Sequence, residues 1–306
     1  MSETKDLPND NFILPFQVGN TSVRGKTVRL GSVVNEILTR HAFPDPLSML
    51  LGEASALVTM LGASLKFDGK LIFQAQGDGP VSMIVADYTA GGALRATASF
   101  RGDKHDIIKK ARGPELHYLL AKGHMVMTID QGPEMERYQG VTPLEGPTLE
   151  VATVNYFKQS EQIPTAIRLA VGRLSAPGEE PQWRAGGIMV QFMPGEGGTR
   201  ERGEAELLRE DDEEVWNNAA ALLNTAGPDE LLDPMLDAQD LLYRLYHENG
   251  VRAFEPMPVS FGCTCTREKV IRVLDQFTEQ ERDDMTEDGK IRVECEFCRE
   301  PYVFDA

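Results

Sequence analysis

The sequence predicts an α+β protein: a mixed sheet-and-helix N-terminal domain, a helical acidic linker, and a small C-terminal domain built around four cysteines. Three observations carry this. The first 195 residues alternate strand-type and helix-type apolar patterns joined by short turns. Residues 196–250 hold 15 Asp and Glu against 4 Arg, a net of −11 out of −17 for the whole chain. All four cysteines, Cys263, Cys265, Cys295 and Cys298, fall within the last 44 of the 306 residues.

In chain order, "NFILPFQV" and "SVRGKTVRL" read as strands, and a helix follows from Ser32 with Val33, Val34, Ile37 and Leu38 on its apolar face. After Pro44 and Pro46 comes "LSMLLGEASALVTMLGASL", residues 47–65, which approaches the length of a membrane span. Glu53 and several Ser and Thr sit inside it, so it reads as a buried helix. "KFDGK" supplies an Asp-Gly turn ahead of three strands, "LIFQAQG", "VSMIVADY" and "ALRATASF". Two short helical stretches lead to the strand "HMVMTID". Then come "ERYQGV", a helix around "LEVATVNYFKQSEQ", and the strands "TAIRLAVG" and "GGIMVQFMP".

The acidic segment is also helix-periodic. Leu208, Val215, Ala219, Leu222 and Leu223 fall on one face of "EAELLREDDEEVWNNAAALL", with acid on the other. "PDELLDPMLDAQDLLYRLYHENG" adds short helices that end at Asn249-Gly250. Such a segment is either a solvated helical linker or one balanced between packed and unpacked states, because its apolar face needs cover while its like charges resist compaction.

From Val259 onward, "REKVIRVLDQF" places Val270, Ile271, Leu274 and Phe277 on one helical face. Thr278 to Glu281 fits a capping box, and Asp288-Gly289 turns the chain into a hairpin folded around Cys295 and Cys298.

Composition excludes several classes. With 41% apolar and 26% charged residues and mean hydropathy −0.30, the chain is ordinary globular material. The start "MSETKDLPND" lacks the basic and apolar regions of a secretory signal, which points to the cytoplasm and reduced thiols. Neither a membrane nor a nucleic acid is expected as a partner. A net charge of −17 repels phosphates. The glycine-bearing stretches at 77–82 and 90–95 match no phosphate-binding loop and read as turns. The five histidines are scattered, and no constellation of acid, base and nucleophile can be assembled, so no enzyme activity is expected.

The cysteines follow C-x-C, 29 intervening residues, then C-x-x-C. In a reducing compartment two such pairs suit one tetrahedral metal with Zn–S bonds of about 2.3 Å. Four soft thiolates select zinc or iron–sulfur, and the fuller spacing of four-cysteine ferredoxins is absent. Size agrees: residues 259–306 carry too few apolar side chains to offset their own ordering entropy, and bound zinc contributes on the order of 10 kcal/mol in small domains. The alternatives are a metal-free thiol pair and chance clustering. C-x-C is an unusual half-site, because it can also close to a small, strained disulfide, a kind of bond that behaves as labile and regulatory. The same sulfurs can therefore clamp a metal when reduced and form disulfides when oxidised.

These cysteine pairs, together with "LKFDGKL", "QGDGPV", "ERYQGV", "YFKQSEQIPT" and "AGGIMVQFMP" in the same order, make the chain resemble the redox-regulated 33-kDa heat-shock protein family of bacterial holdase chaperones. The resemblance covers most of the chain and weakens over 196–250. It implies that Cys263, Cys265, Cys295 and Cys298 hold one zinc ion as thiolates, and that oxidation joins Cys263 to Cys265 and Cys295 to Cys298 with loss of zinc. It further implies an ATP-independent holdase that binds unfolded client proteins and dimerises when oxidised. The expected division is a core domain at 1–195, an acidic linker region at 196–258 and a zinc-binding redox-switch domain at 259–306. Two rivals stand beside this: a thiol-disulfide oxidoreductase that uses C-x-x-C catalytically, and a constitutive zinc-ribbon interaction module.

Overall fold

The computed structural model of the chain describes residues 10–64, 68–132, 135–175, 178, 180–193 and 210–305. Leu208, the expected boundary at 195, and part of the "KFDGK" turn lie outside the described residues. The mixed sheet-and-helix class expected from the sequence is what the structure shows.

Two antiparallel strands open the chain, β1 (Phe12–Val18) and β2 (Val23–Leu30). Helices α1 (Ser32–His41) and α2 (Asp45–Gly62) follow, with Pro46 in the first turn of α2, where its missing N–H costs nothing. α2 is buried along nearly its whole length, Glu53 included. No helix among the described residues is long and apolar enough to cross a membrane.

Strands β3 (Lys70–Gly77), β4 (Val81–Thr89) and β5 (Ala93–Phe100) form a meander. Short helices α3 (His105–Ile108) and α4 (Leu116–Leu119) precede β6 (Gly123–Asp130) and β7 (Tyr138–Pro143). Helix α5 (Leu149–Tyr156) is capped by Thr148 and ends in a π-turn over Phe157–Glu161. The long strands β8 (Thr165–Leu174) and β9 (Gln182–Phe192) then pair antiparallel.

Next come helices α6 (Glu210–Leu223), α7 (Pro228–Leu232) and α8 (Ala238–Tyr246). Three very short strands follow, β10 (Val251–Ala253), β11 (Met257–Pro258) and β12 (Ser260–Phe261). The C-terminal unit contains α9 (Arg267–Leu274), α10 (Glu279–Asp284), β13 (Thr286–Glu287), β14 (Lys290–Glu294) and β15 (Pro301–Asp305).

The first sheet has the order β10-β1-β2-β9-β8, with β11 also on β1; the second runs β12-β5-β4-β3-β6-β7. Their inner faces close on α1 and α2 to make the main core. A second apolar cluster lies on the outer face of the first sheet. There Leu14, Phe16, Val23, Ile188 and Val190 are covered by Leu223, Leu231, Leu241, Leu242 and Tyr246 from the acidic helices. The expected amphipathic face of α6 is thus present: Ala219 and Leu223 are buried, and Val215 and Leu222 pack partly against the sheet.

Residues 251–261 carry no strand signal in the sequence, because each piece is only two or three residues long and prolines interrupt them. Tertiary pairing makes them strands. β10 and β11 extend the edge of β1, and β12 then runs parallel to the edge strand β5. The connection to the cysteines is therefore stitched along the edges of both sheets.

One expectation is corrected. α9 ends at Leu274, so Phe277 lies beyond the helix and is 38% exposed; of the helical face, Leu274 is buried, Val270 packs beside it and Ile271 is 40% exposed. The C-terminal cluster of Leu274, Ile291 and Phe304 is too small to reach around the helix.

Candidate metal centre

Local rules place each cysteine pair. Cys263 and Cys265 lie on the loop between β12 and α9, just before Thr266, whose Oγ1 accepts the Lys269 N–H at 3.3 Å and caps the helix. The positive end of α9 therefore faces the C-x-C loop. Asp288 and Gly289 have φ of 50° and 73°, the geometry of a two-residue hairpin between β13 and β14. Cys295 and Cys298 occupy the turn between β14 and β15, closed by Cys295 N–H donating to Glu300 O at 3.0 Å and Arg299 N–H donating to Cys295 O at 2.8 Å.

The four sulfurs converge, all within 4.8 Å of one another. Cys263 Sγ is 3.7 Å from Cys295 Sγ, and Cys265 Sγ is 3.3 Å from Cys298 Sγ. A tetrahedron with bonds of about 2.3 Å has edges of about 3.8 Å, so the set fits a zinc-sized ion. These two contacts run between the pairs, as a single ligand cage requires. Tyr302 Oη donates to Cys265 Sγ at 3.2 Å and supports that ligand from behind.

With protons alone on the sulfurs, the four thiols are unequal. Burial pushes Cys263 up, but hydrogen bonds from Cys265 and Arg95 outweigh it and bring its pKa down to about 7. Burial pushes Cys295 and Cys298 up. The hydrogen bond to Cys265 raises Tyr302.

Residues of the sheet domain that no sequence pattern marked complete the site. Arg95 on β5 is held by Asp87, with Nε 2.7 Å from Oδ2, and Asp87 is buried. Arg95 Nη1 lies 3.9 Å from Cys263 Sγ and 3.4 Å from Thr264 Oγ1, and its guanidinium stacks 4.0 Å over the Phe297 ring. Thr97 Oγ1 donates to Glu296 O at 2.8 Å, and Arg40 Nη1 donates to Cys298 O at 2.9 Å. One core arginine thus touches both cysteine loops, and two neighbours grip the C-x-x-C backbone. Were the four sulfurs to hold a divalent ion as thiolates, the site would carry excess negative charge, and the Arg95 guanidinium stands where it would partly offset it.

The remaining candidates take structural places. His41 is buried and its Nε2 lies 3.0 Å from Ala96 O; burial pushes its pKa down. Glu53 is buried in α2, and burial, with Glu150 adding to it, raises its carboxyl to about 8. Gly91 and Gly92 sit in a turn with positive φ.

A family model described as "Hsp33 protein" matches residues 11–305. The chain is 45% identical over 300 residues to the 33 kDa chaperonin of Caulobacter vibrioides, covering 97% of this chain and 95% of that one. Identity to the 33 kDa chaperonin of Shewanella loihica is 38% over 288 residues, covering 94% and 90%. The crystal structure of the 33 kDa chaperonin from Thermotoga maritima is similar in fold, with TM-score 0.77 at 22% identity, covering 96% and 95%.

Proposed function

Because the chain belongs to the Hsp33 family, we propose that it is an ATP-independent holdase whose four cysteines hold it inactive when reduced and release it when oxidised. The observation that carries the reading is the convergence of all four sulfurs at a point where the C-terminal unit is fastened to the core by Arg95. Cys263, Cys265, Cys295 and Cys298 would hold one zinc ion per chain. Bound there, zinc would supply the cross-link that folds residues 259–306, whose own apolar cluster among the described residues centres on Leu274, Ile291 and Phe304.

Peroxide is the oxidant class proposed. For each pair, two thiolates, two protons from solvent and one H₂O₂ would give one disulfide and two waters, so four thiolates pass four electrons to two peroxides and the zinc ion is set free. The proposed bonds are Cys263–Cys265 and Cys295–Cys298. Each removes two thiolates from the ligand set, and the backbone turn that presents Glu296, Phe297 and Cys298 to Thr97, Arg95 and Arg40 is lost with it. The path back from Cys263 to α8 is short and held by two- and three-residue pairings at the sheet edges. Undocking of the C-terminal unit therefore pulls on β12, β11 and β10, and then on the helices that cover the first sheet.

The three-part division at 1–195, 196–258 and 259–306 follows this sequence of events: platform, cover and lock. A lock that rests in the thiolate form needs a reducing compartment, the cytoplasm. Unfolded proteins are the proposed partners, with a homodimer as the oxidised form and nucleic acid disfavoured by the charge of −17. The oxidoreductase reading is disfavoured by the setting of C-x-x-C: Cys295 and Cys298 lie in a hairpin turn instead of opening a helix. Peptide mapping of peroxide-treated protein, with zinc release followed in parallel, tests the reading. Disulfides within the two pairs and about one zinc per chain released support it; retained zinc with free thiols sinks it.

A further inference from the structure

The outer face of the first sheet carries cations as well as apolar side chains. Arg29, Arg184 and Arg168, on β2, β9 and β8, pair across the sheet with Gly186, Gly172 and Ile188 and so share the face that the acidic helices cover. Arg29 is 1% exposed; its Nη2 donates to Glu230 O at 3.3 Å and its Nη1 to Asp233 O. Arg184 Nε donates to Leu232 O at 2.9 Å, and the same guanidinium is paired with Asp10. Arg168 Nε is buried and, among the described residues, meets no acceptor.

A buried guanidinium is costly unless acceptors surround it. Here the acceptors are carbonyls at and just beyond the C-terminal end of α7, the negative end of the helix, and Asp10, Asp237 and Asp233 all act on Arg29, the last two from the cover. The resident cover therefore fits the face in two ways. Leu231, Leu241 and Leu242 fill the apolar cradle, while free carbonyls and acidic side chains answer the arginines. When the cover leaves, Arg184 keeps Asp10, while Arg29 loses both carbonyls and the nearby Asp233 and Asp237 and keeps only the more general attraction of Asp10; Arg168 Nε still has no acceptor among the described residues.

We propose that this face selects unfolded client segments of the same chemistry as the cover it lost: rich in leucine or phenylalanine, acidic, and presenting free backbone carbonyls. The proposal rests on the holdase reading. A bared guanidinium within apolar surface favours carboxylates and carbonyls, and a lysine placed there meets like charge. The preference runs against the net charge of −17, which by itself would draw basic peptides.

The test uses full-length, peroxide-treated, zinc-free protein and two fluorescein-labelled peptides of equal length. Both carry leucine and phenylalanine at the same positions; one has Glu and the other Lys elsewhere. The acidic peptide is expected to bind about fivefold tighter by anisotropy, with the margin shrinking at high salt. Arg29→Gln with Arg168→Gln should abolish the margin. Where the double variant does not fold, seen as loss of the wild-type thermal transition in the reduced protein, Arg168→Gln alone should still narrow it. Equal or tighter binding of the basic peptide, or a margin indifferent to Arg168→Gln, overturns the proposal while leaving the holdase reading intact. Binding of neither peptide, together with no suppression of aggregation by the treated protein, sinks the holdase reading and the proposal with it.

Discussion

The guanidinium of Arg95 lies 4.0 Å over the ring of Phe297, the residue just before Cys298, so the core of the protein reads the C-x-x-C turn by direct contact. The same side chain reaches Cys263 Sγ at 3.9 Å and is anchored by buried Asp87. State of the sulfurs and docking of the C-terminal unit are thereby joined in one residue.

Arg95→Gln should undock the unit without oxidation. A desolvated cation–π contact and its hydrogen bonds are worth about 2 kcal/mol, roughly a thirtyfold change in the docking equilibrium. Limited proteolysis between residues 254 and 266 of the reduced variant should accelerate accordingly. Arg95→Lys, which keeps the charge but not the flat stacked fork, should fall between. Unchanged cleavage in both variants would show that Arg95 is a bystander.

Cys298→Ser should lose zinc and unfold residues 259–306 even in reductant. Cys298 is the most buried of the four cysteines, and the apolar cluster beside it cannot hold the unit alone. Metal content and C-terminal protease resistance report this; a variant with full zinc and normal resistance would contradict it.

Leu242→Ala should loosen the cover from the sheet. Leu242 is 1% exposed in the cluster under the acidic helices, and truncating a buried leucine costs about 2–5 kcal/mol. Amide exchange in α8 should rise, and the reduced variant should suppress aggregation in part. Wild-type exchange in α8 would mean that the cover is held by something other than this cluster.

Glu53 makes stability depend on pH. Its carboxyl is raised from 4.5 to about 8 by burial in α2, with Glu150 adding to the shift. Below pH 4.5 the folded and unfolded chains both keep the proton, and the contribution is complete. Between 4.5 and about 8 the unfolded chain sheds a proton that the folded chain retains, so stability falls, and above about 8 the loss is full. Glu53→Gln should therefore stabilise the protein at pH 8 by about 2–4 kcal/mol and flatten the decline from pH 5 to pH 8. Parallel pH profiles for the variant and wild type would rule this out.

Much of the architecture was legible because it is locally encoded. The buried helix over Asp45–Gly62, the capping box at Thr278 and Glu281, and the Asp288-Gly289 hairpin each rest on residues a few positions apart. The four cysteines were legible for a different reason: thiolates in two close pairs have few uses. Their convergence needed no long-range knowledge beyond the spacing.

What stayed hidden depends on contacts distant in sequence. Arg95 stands 168 residues from Cys263 within "ALRATASF", where nothing separates it from an ordinary strand cation. Strands of two residues at Met257–Pro258 and Ser260–Phe261 carry no periodicity and exist because the edges of β1 and β5 accept them. The α9 stripe misled in the other direction. Its spacing is helical, but Ile271 faces a groove shared with the charged residues Glu279, Arg282 and Asp283 of α10, and Phe277 lies past the end of the helix at Leu274.

The most direct test of the redox lock is light scattering of a chemically unfolded protein diluted into buffer with this chain, either zinc-loaded and reduced or treated with peroxide at mildly raised temperature. Suppression of aggregation by the treated sample alone, with zinc appearing in solution over the same minutes, is the expected result. Equal behaviour of the two samples, whether both suppress or neither does, would contradict the lock and leave the four cysteines as a constitutive structural site.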